Sequence, residues 1–191
     1  MDDFILYLQL GWQHIISTDA LDHQLFILAL SAIFLLRNWR QVLVLVTAFT
    51  LGHSITLALS VYRICNIGSA WVEFLIPCTI VVTALLNFFQ PQNRPPHLKL
   101  NYLLALLFGL VHGLGFANTI RFMLADGQSI AWPLLGFNIG LELGQLLVVT
   151  GILLLSWLVV DKAKLNQKWW IWALSALSFT WAVIFAWQRL P

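Results

Sequence analysis

Most of the side chains with chemistry to offer in this sequence stand where hydrocarbon is expected. His112 interrupts the run Phe108-Gly-Leu-Val-His112-Gly-Leu-Gly-Phe-Ala, and Glu142 interrupts Phe137-Asn138-Ile-Gly-Leu-Glu142-Leu-Gly-Gln145. His53 and Glu73 sit in apolar runs of the same kind. An ionisable group at the centre of such a segment costs about 2.5 to 3.5 kcal/mol on insertion, so a functional site is the default reading. Imidazole and carboxylate together are a ligand set for borderline divalent transition metals: ring nitrogen suits nickel, cobalt, zinc and copper, and carboxylate oxygen neutralises charge. His14, Asp22, His23, His53, Glu73, His112 and Glu142 supply both kinds, with Ser54, Asn138 and Gln145 beside them as supporting polar groups. No facing thiolates would trap a soft ion, so metal held here can also be released.

Each of these residues has a plainer reading. His53 could bond a neighbouring helix, and Ser54 a backbone carbonyl. Asp22 could be a charge on a helix dipole. Glu73 stands one turn before Pro77, which frees a carbonyl and could account for the acid locally. His97 lies in a Pro-rich loop and is expected to be solvated. Cys65 and Cys78 form no Cys-x-x-Cys pair and read as small buried hydrophobes.

The elements that must position this set are membrane helices. Of 191 residues, 60% are hydrophobic and 9% charged. Long continuous apolar runs such as Val42 to Leu59 and Trp132 to Val160 exclude a barrel of short alternating strands. The fold class is all-α, a polytopic membrane helical bundle in one domain. Six spanning helices are expected at roughly 21–36, 41–62, 68–89, 99–122, 131–160 and 169–188. Phe4 to Ser17 covers about 21 Å against a core of about 30 Å, so it reads as a short interfacial or partly inserted helix. Ser17, Thr18 and Asp19 are candidate caps for the next helix. The start Met1-Asp2-Asp3-Phe4 lacks the basic region of a cleavable signal peptide, so no processing is expected.

A net charge of +2 without a basic patch excludes nucleic acid as a partner. The expected partners are the lipid bilayer and a divalent metal ion, with a homo-oligomer allowed. Arg37, Arg40, Arg94, Lys99, Lys162, Lys164 and Lys168 fall at one set of segment ends, and Arg63, Arg121 and Arg189 at the other. By the positive-inside bias the first set is cytoplasmic, which puts both termini outside. Trp39, Trp157, Trp169 and Trp170 then form an inner aromatic belt and Trp71, Trp132 and Trp187 an outer one. Counted at about 1.5 Å per residue, His53, Glu73, His112, Asn138 and Glu142 all fall in the outer half of the bilayer, where Asp22 and His23 open their helix. The inner half offers almost no polar group besides Asn87 and Gln90.

Two segments carry a His at similar depth, His53 and His112, and each precedes a helix with a Glu, Glu73 and Glu142; this weak echo suggests a parallel repeat. Gly136, Gly140 and Gly144 form a ladder on which another helix can pack closely, and Gly109 with Gly113 does the same beside His112. The last helix is rich in tryptophan and reads as a peripheral, lipid-facing element.

Gly11-Trp-Gln-His14, Leu21-Asp22-His23-Gln-Leu-Phe26, Thr47-Ala-Phe-Thr-Leu-Gly-His53-Ser-Ile-Thr-Leu, Trp71-Val-Glu73 and the blocks around His112 and Glu142 resemble the HupE/UreJ family of bacterial membrane proteins. The resemblance covers roughly residues 8–150. It implies a small permease of the bacterial inner membrane that supplies nickel or cobalt to metalloenzymes such as hydrogenase and urease. The family's functional pattern carries over onto His14, Asp22, His23, His53, Glu73 and His112, with Glu142 from the last block.

Two functions fit these observations. In one, a nickel or cobalt ion enters from the outer side past His14 and Asp22 and is held by His23, His53, Glu73, His112 and Glu142. In the other, the histidines fix a zinc ion and Asp22, Glu73 or Glu142 acts as general base in hydrolysis of a lipid amide or ester.

Overall fold

In hydrocarbon every backbone polar group must find its partner inside the protein, which leaves helices as the solution for a chain this apolar. The computed structural model describes residues 2–64, 67–90, 98–123 and 130–191, and only the backbone of residues 2–3 and 117–123. Cys65, Arg94, His97 and the 124–129 connection lie outside the described residues, as does the side chain of Arg121. Every regular element among the described residues is helical: α1 (Asp2–Ile16), α2 (Leu21–Ser31), α3 (Trp39–Val61), α4 (Ser69–Phe88), α5 (Leu98–Met123), α6 (Ala131–Ser156) and α7 (Gln167–Gln188). A π turn, Trp157–Lys162, extends α6.

Among the described residues, five helical stretches are long and apolar enough to cross a membrane: Leu36–Val61, Ser69–Phe88, Leu98–Phe116, Ala131–Lys162 and Gln167–Gln188. This corrects the expectation of six. The segment expected over 21–36 contains only the 11-residue α2, about 16 Å of helix, followed by a turn and the short 3-10 helix Leu36–Asn38.

The reason is a break just before α2. At Ser17, Thr18 and Asp19, residue types that favour turns over helix interiors, the chain leaves the α-helix for the 3-10 turn Thr18–Ala20. Ser17 makes no side-chain cap, and Ala20, the residue before α2, makes none either. The exposed end of α1 is satisfied instead by Gln24 of α2, whose amide donates to the carbonyls of Ile15 at 2.9 Å, Ser17 at 3.0 Å and Ile16 at 3.4 Å. A long amide thus closes the polar end of a broken helix, as such ends require in lipid.

Glycines set the rest of the architecture. A methyl group on Gly136 would lie 2.6 Å from the Phe4 carbonyl oxygen, one on Gly140 1.9 Å from that of Leu8, and one on Gly144 3.0 Å from Ile15 Cβ. Both residue numbers rise together, so α1 runs parallel to α6 along the glycine ladder, with Gly11 closing on Phe137 from the other side. A second pair has the same construction. Gly109 faces the carbonyl of Phe49, Gly113 that of His53, and Gly52 that of Leu106, so α3 and α5 are also parallel and in backbone contact. Only residues without Cβ allow this approach, which places Cα–H groups against carbonyl oxygens.

The last helix is not simply peripheral. It packs along α4 and buries Trp170, Ile171, Ser175, Ser178 and Ala182, leaving Trp169, Trp181 and Trp187 on its exposed face. Trp170 is therefore not part of an exposed aromatic belt, whereas Trp39, Trp71, Trp132 and Trp157 are exposed. Asn87, near the end of α4, donates to the Ala29 carbonyl at 2.7 Å and to Ser175 at 3.1 Å. Gln167, at the start of α7, reaches the Ile33 carbonyl at 3.3 Å. From the break, α2 therefore leads toward the end of the bundle where α4 finishes and α7 begins.

Candidate metal site

Four histidines from four helices meet beside the break. The ring centroids of His14 and His23 are 4.5 Å apart, those of His23 and His112 4.9 Å, of His14 and His53 6.1 Å, and of His23 and His53 6.3 Å. One ring nitrogen each from His14, His23 and His53 can be chosen so that all three lie within 4.8 Å of one another, a spacing that a shared metal ion can bridge. Each is placed by a local device. His14 is in the last turn of α1, held against α6 by the glycine ladder. His53 and His112 sit at the glycine contacts between α3 and α5. His23 is in the first turn of α2, positioned by the break.

His23, His53 and His112 are buried and His14 is half-buried, yet each keeps a buried ring nitrogen with no partner among the described residues. His53 is fully buried, and neither Nδ1 nor Nε2 has a hydrogen-bond partner among the described residues. The Nε2 atoms of His14, His23 and His112 are likewise buried and unpartnered. On His112, Nδ1 lies 2.8 Å from the Phe108 carbonyl oxygen. A carbonyl can only accept, so Nδ1 carries the proton and the lone pair of Nε2 is left for a ligand. Burying so many unsatisfied acceptors is costly without a compensating ligand, and this is the observation that separates the cluster from ordinary core histidines.

Phenylalanines wall the cluster. Phe137 stacks on His53 with centroids 5.9 Å apart and on Phe116 at 4.8 Å, while Phe116 lies 4.2 Å from His14. Phe26 and Phe49 flank His112 at 5.3 and 5.1 Å. The rings hold the imidazoles in place and exclude water. A cavity of about 290 Å³ opens onto the cluster, lined by His14, His23, His112, Asp22, Glu73 and Arg189 among others. Asp22 lends Oδ2 to Arg189 at 2.7 Å, while its Oδ1 is buried and unpartnered.

Of the residues singled out in the sequence, His14, His23 and His53 form the compact group, His112 adjoins it, and Asp22 and Glu73 line the cavity. Glu142 stands apart from the residues lining the cavity, and its carboxylate accepts from Thr47 Oγ1 at 2.7 Å. Gln145 accepts in the same way from Thr50 Oγ1 at 2.9 Å. The two bonds form a seam between α6 and α3, on a face of α6 away from the glycine ladder. Ser54 donates to the Thr50 carbonyl within its own helix, and Asn138 Oδ1 is buried without a partner. The sequence echo is therefore half realised, with the two histidines converging and the two glutamates parting.

Gln24, Phe137, Phe116 and Arg189 were not singled out from the sequence. Gln24 and Phe137 fall inside quoted blocks, but only the break and the stacked rings give them roles. Arg189 had no signal beyond its charge.

The family model described as HupE / UreJ protein matches residues 1–189, through the last helix, and the chain belongs to this family. With five apolar helices, it is an integral membrane protein of a family associated with metal transport. No curated protein and no solved structure matches the chain.

Proposed function

We propose that this protein is a permease for a divalent transition metal, nickel or cobalt, which it takes from the outer side of the bacterial inner membrane with both termini on that side. The observation that carries this reading is the convergence of four histidines with buried, unpartnered ring nitrogens beside a cavity lined by the carboxylates of Asp19, Asp22 and Glu73. Asp22 and Glu73 attract the hydrated cation, and His14, His23 and His53 replace its water, with His112 able to join as the ion moves on. Neutral imidazoles bind borderline ions without the trapping strength of thiolates, which suits a site that must let go.

A route toward the other face also has support. Thr79, Thr83 and Asn87 follow Glu73 and Ile76 along one stripe of α4 and all three are buried; Ser175 and Ser178 of α7 are also buried, and Asn87 bonds Ser175 at 3.1 Å. No observation favours the zinc hydrolase. Of its three candidate bases, Glu142 is engaged by Thr47 away from the cavity and Asp22 is paired with Arg189.

The test is metal flux into proteoliposomes containing a divalent-metal indicator, with nickel, cobalt and zinc supplied outside. Uptake of nickel or cobalt is expected for the native chain, with loss of at least about tenfold in His53→Ala, since removing one of three ligands costs more than about 1.4 kcal/mol of ion binding. Stoichiometric metal binding without flux would overturn the permease reading.

A further inference from the structure

The cavity that leads to the histidines is already visited by a cation belonging to the protein. Arg189 is the only lysine or arginine among the described residues that line it, and it arrives from α7 to place Nη1 2.7 Å from Asp22 Oδ2. The pair is neither a surface ornament nor a sealed core contact: Asp22 is 14% and Arg189 31% exposed at the side chain. The guanidinium is seated on the Phe185 ring at 5.2 Å, so the cation is held over an apolar platform. The other carboxylate oxygen, Oδ1, is buried and has no partner among the described residues. Half of the acid is therefore occupied by a permanent positive charge and half is presented empty.

We propose that Arg189 is a built-in competitor for the cargo: it neutralises Asp22 while the cavity is empty and must be displaced from that carboxylate by the incoming divalent cation. This rests on the reading of the histidine cluster as a metal site. An arginine cannot lose its proton under physiological conditions, so the competition persists at any working pH. A divalent ion gains twice the Coulomb attraction of a monovalent one at the same distance and can offset the displacement, whereas sodium or potassium gains too little. The residue thus sets a threshold against monovalent ions at the mouth while lowering affinity for the cargo. Once displaced, the guanidinium is left beside the loaded cavity and its repulsion favours onward movement of the ion.

The experiment is equilibrium binding of cobalt(II) and nickel(II) to the purified full-length chain in detergent, followed by the ligand-field absorption of the metal. Arg189→Gln is expected to tighten binding between about two- and tenfold, the range that separates exposed ion pairs from desolvated ones. Asp22→Asn is expected to weaken binding, and adding Arg189→Gln to it should change nothing further, because the competition needs the carboxylate. Unchanged or weaker binding in Arg189→Gln, or the same gain with and without Asp22, would overturn the proposal. If Arg189→Gln does not fold, Arg189→Met decides: it removes the charge and keeps an apolar stem over Phe185, so binding tighter than native is expected, and native affinity would count against the idea. A native chain that binds neither metal would instead overturn the metal-site reading itself.

Discussion

The acids of the set divide by what holds them. Asp22 and Glu73 reach the cavity, whereas Glu142 is engaged by Thr47 and helps join α6 to α3. Glu142→Gln keeps an oxygen to accept that hydroxyl, so metal affinity is expected to stay within about twofold of native; removing the acceptor altogether, in Glu142→Leu, should lower the thermal midpoint in detergent by the equivalent of about 1 kcal/mol. A tenfold loss of cobalt(II) affinity in Glu142→Gln would return this acid to the site. The histidines were legible in the sequence because an ionisable ring in an apolar run has few uses. The role of Glu142 was not, since depth along a helix says nothing about the direction a side chain faces, and an acid one or two residues round from the required face has the same hydropathy signature. Arg189 was invisible for a different reason: its partner is 167 positions distant, and only packing of α7 against α2 brings the two charges together.

At the scale of elements, the all-helical class and five of the six expected spans were legible, and the broken stretch was not. Fourteen apolar residues, three small polar ones and another apolar run can be read as an interfacial helix followed by a span; the structure instead breaks the chain at the site and lets Gln24 close the end of α1. The glycine ladder is the clearest case of sequence spacing acting through sterics. Gly140→Ala puts a methyl 1.9 Å from the Leu8 carbonyl oxygen, which backbone movement alone can relieve. A loss of about 1–3 kcal/mol is expected in thermal or denaturant unfolding, with weakened metal binding as His14 shifts. Gly151→Ala on the same helix meets nothing within 4 Å and should be neutral or slightly stabilising, since Ala is the better helix former by about 1 kcal/mol. Equal effects at both positions would show that close approach of α1 and α6 is not what these glycines provide.

Across the whole molecule, the scarcity of polar groups in the inner half was the strongest sequence argument against transport, because small hydroxyls do not register in a hydropathy profile. Folding buries Thr79, Thr83, Asn87, Ser175 and Ser178 on the packed helices α4 and α7, and Asn87 bonds Ser175 across them. Asn87→Leu is accordingly expected to cut nickel or cobalt flux several-fold while leaving equilibrium binding at the histidines unchanged; flux equal to native would place the exit elsewhere. The two parallel glycine-packed pairs carry a last consequence. His14 rides on the unit made of α1 and α6, and His53 and His112 ride on the unit made of α3 and α5. Each unit is welded along its length by backbone contact, yet α3 and α6 are linked by the two hydroxyl bonds to Glu142 and Gln145. An ion bound by His14 and His53 together would add a clamp between the two units at the level where Phe137 of α6 already stacks on His53 of α3 and Phe116 of α5.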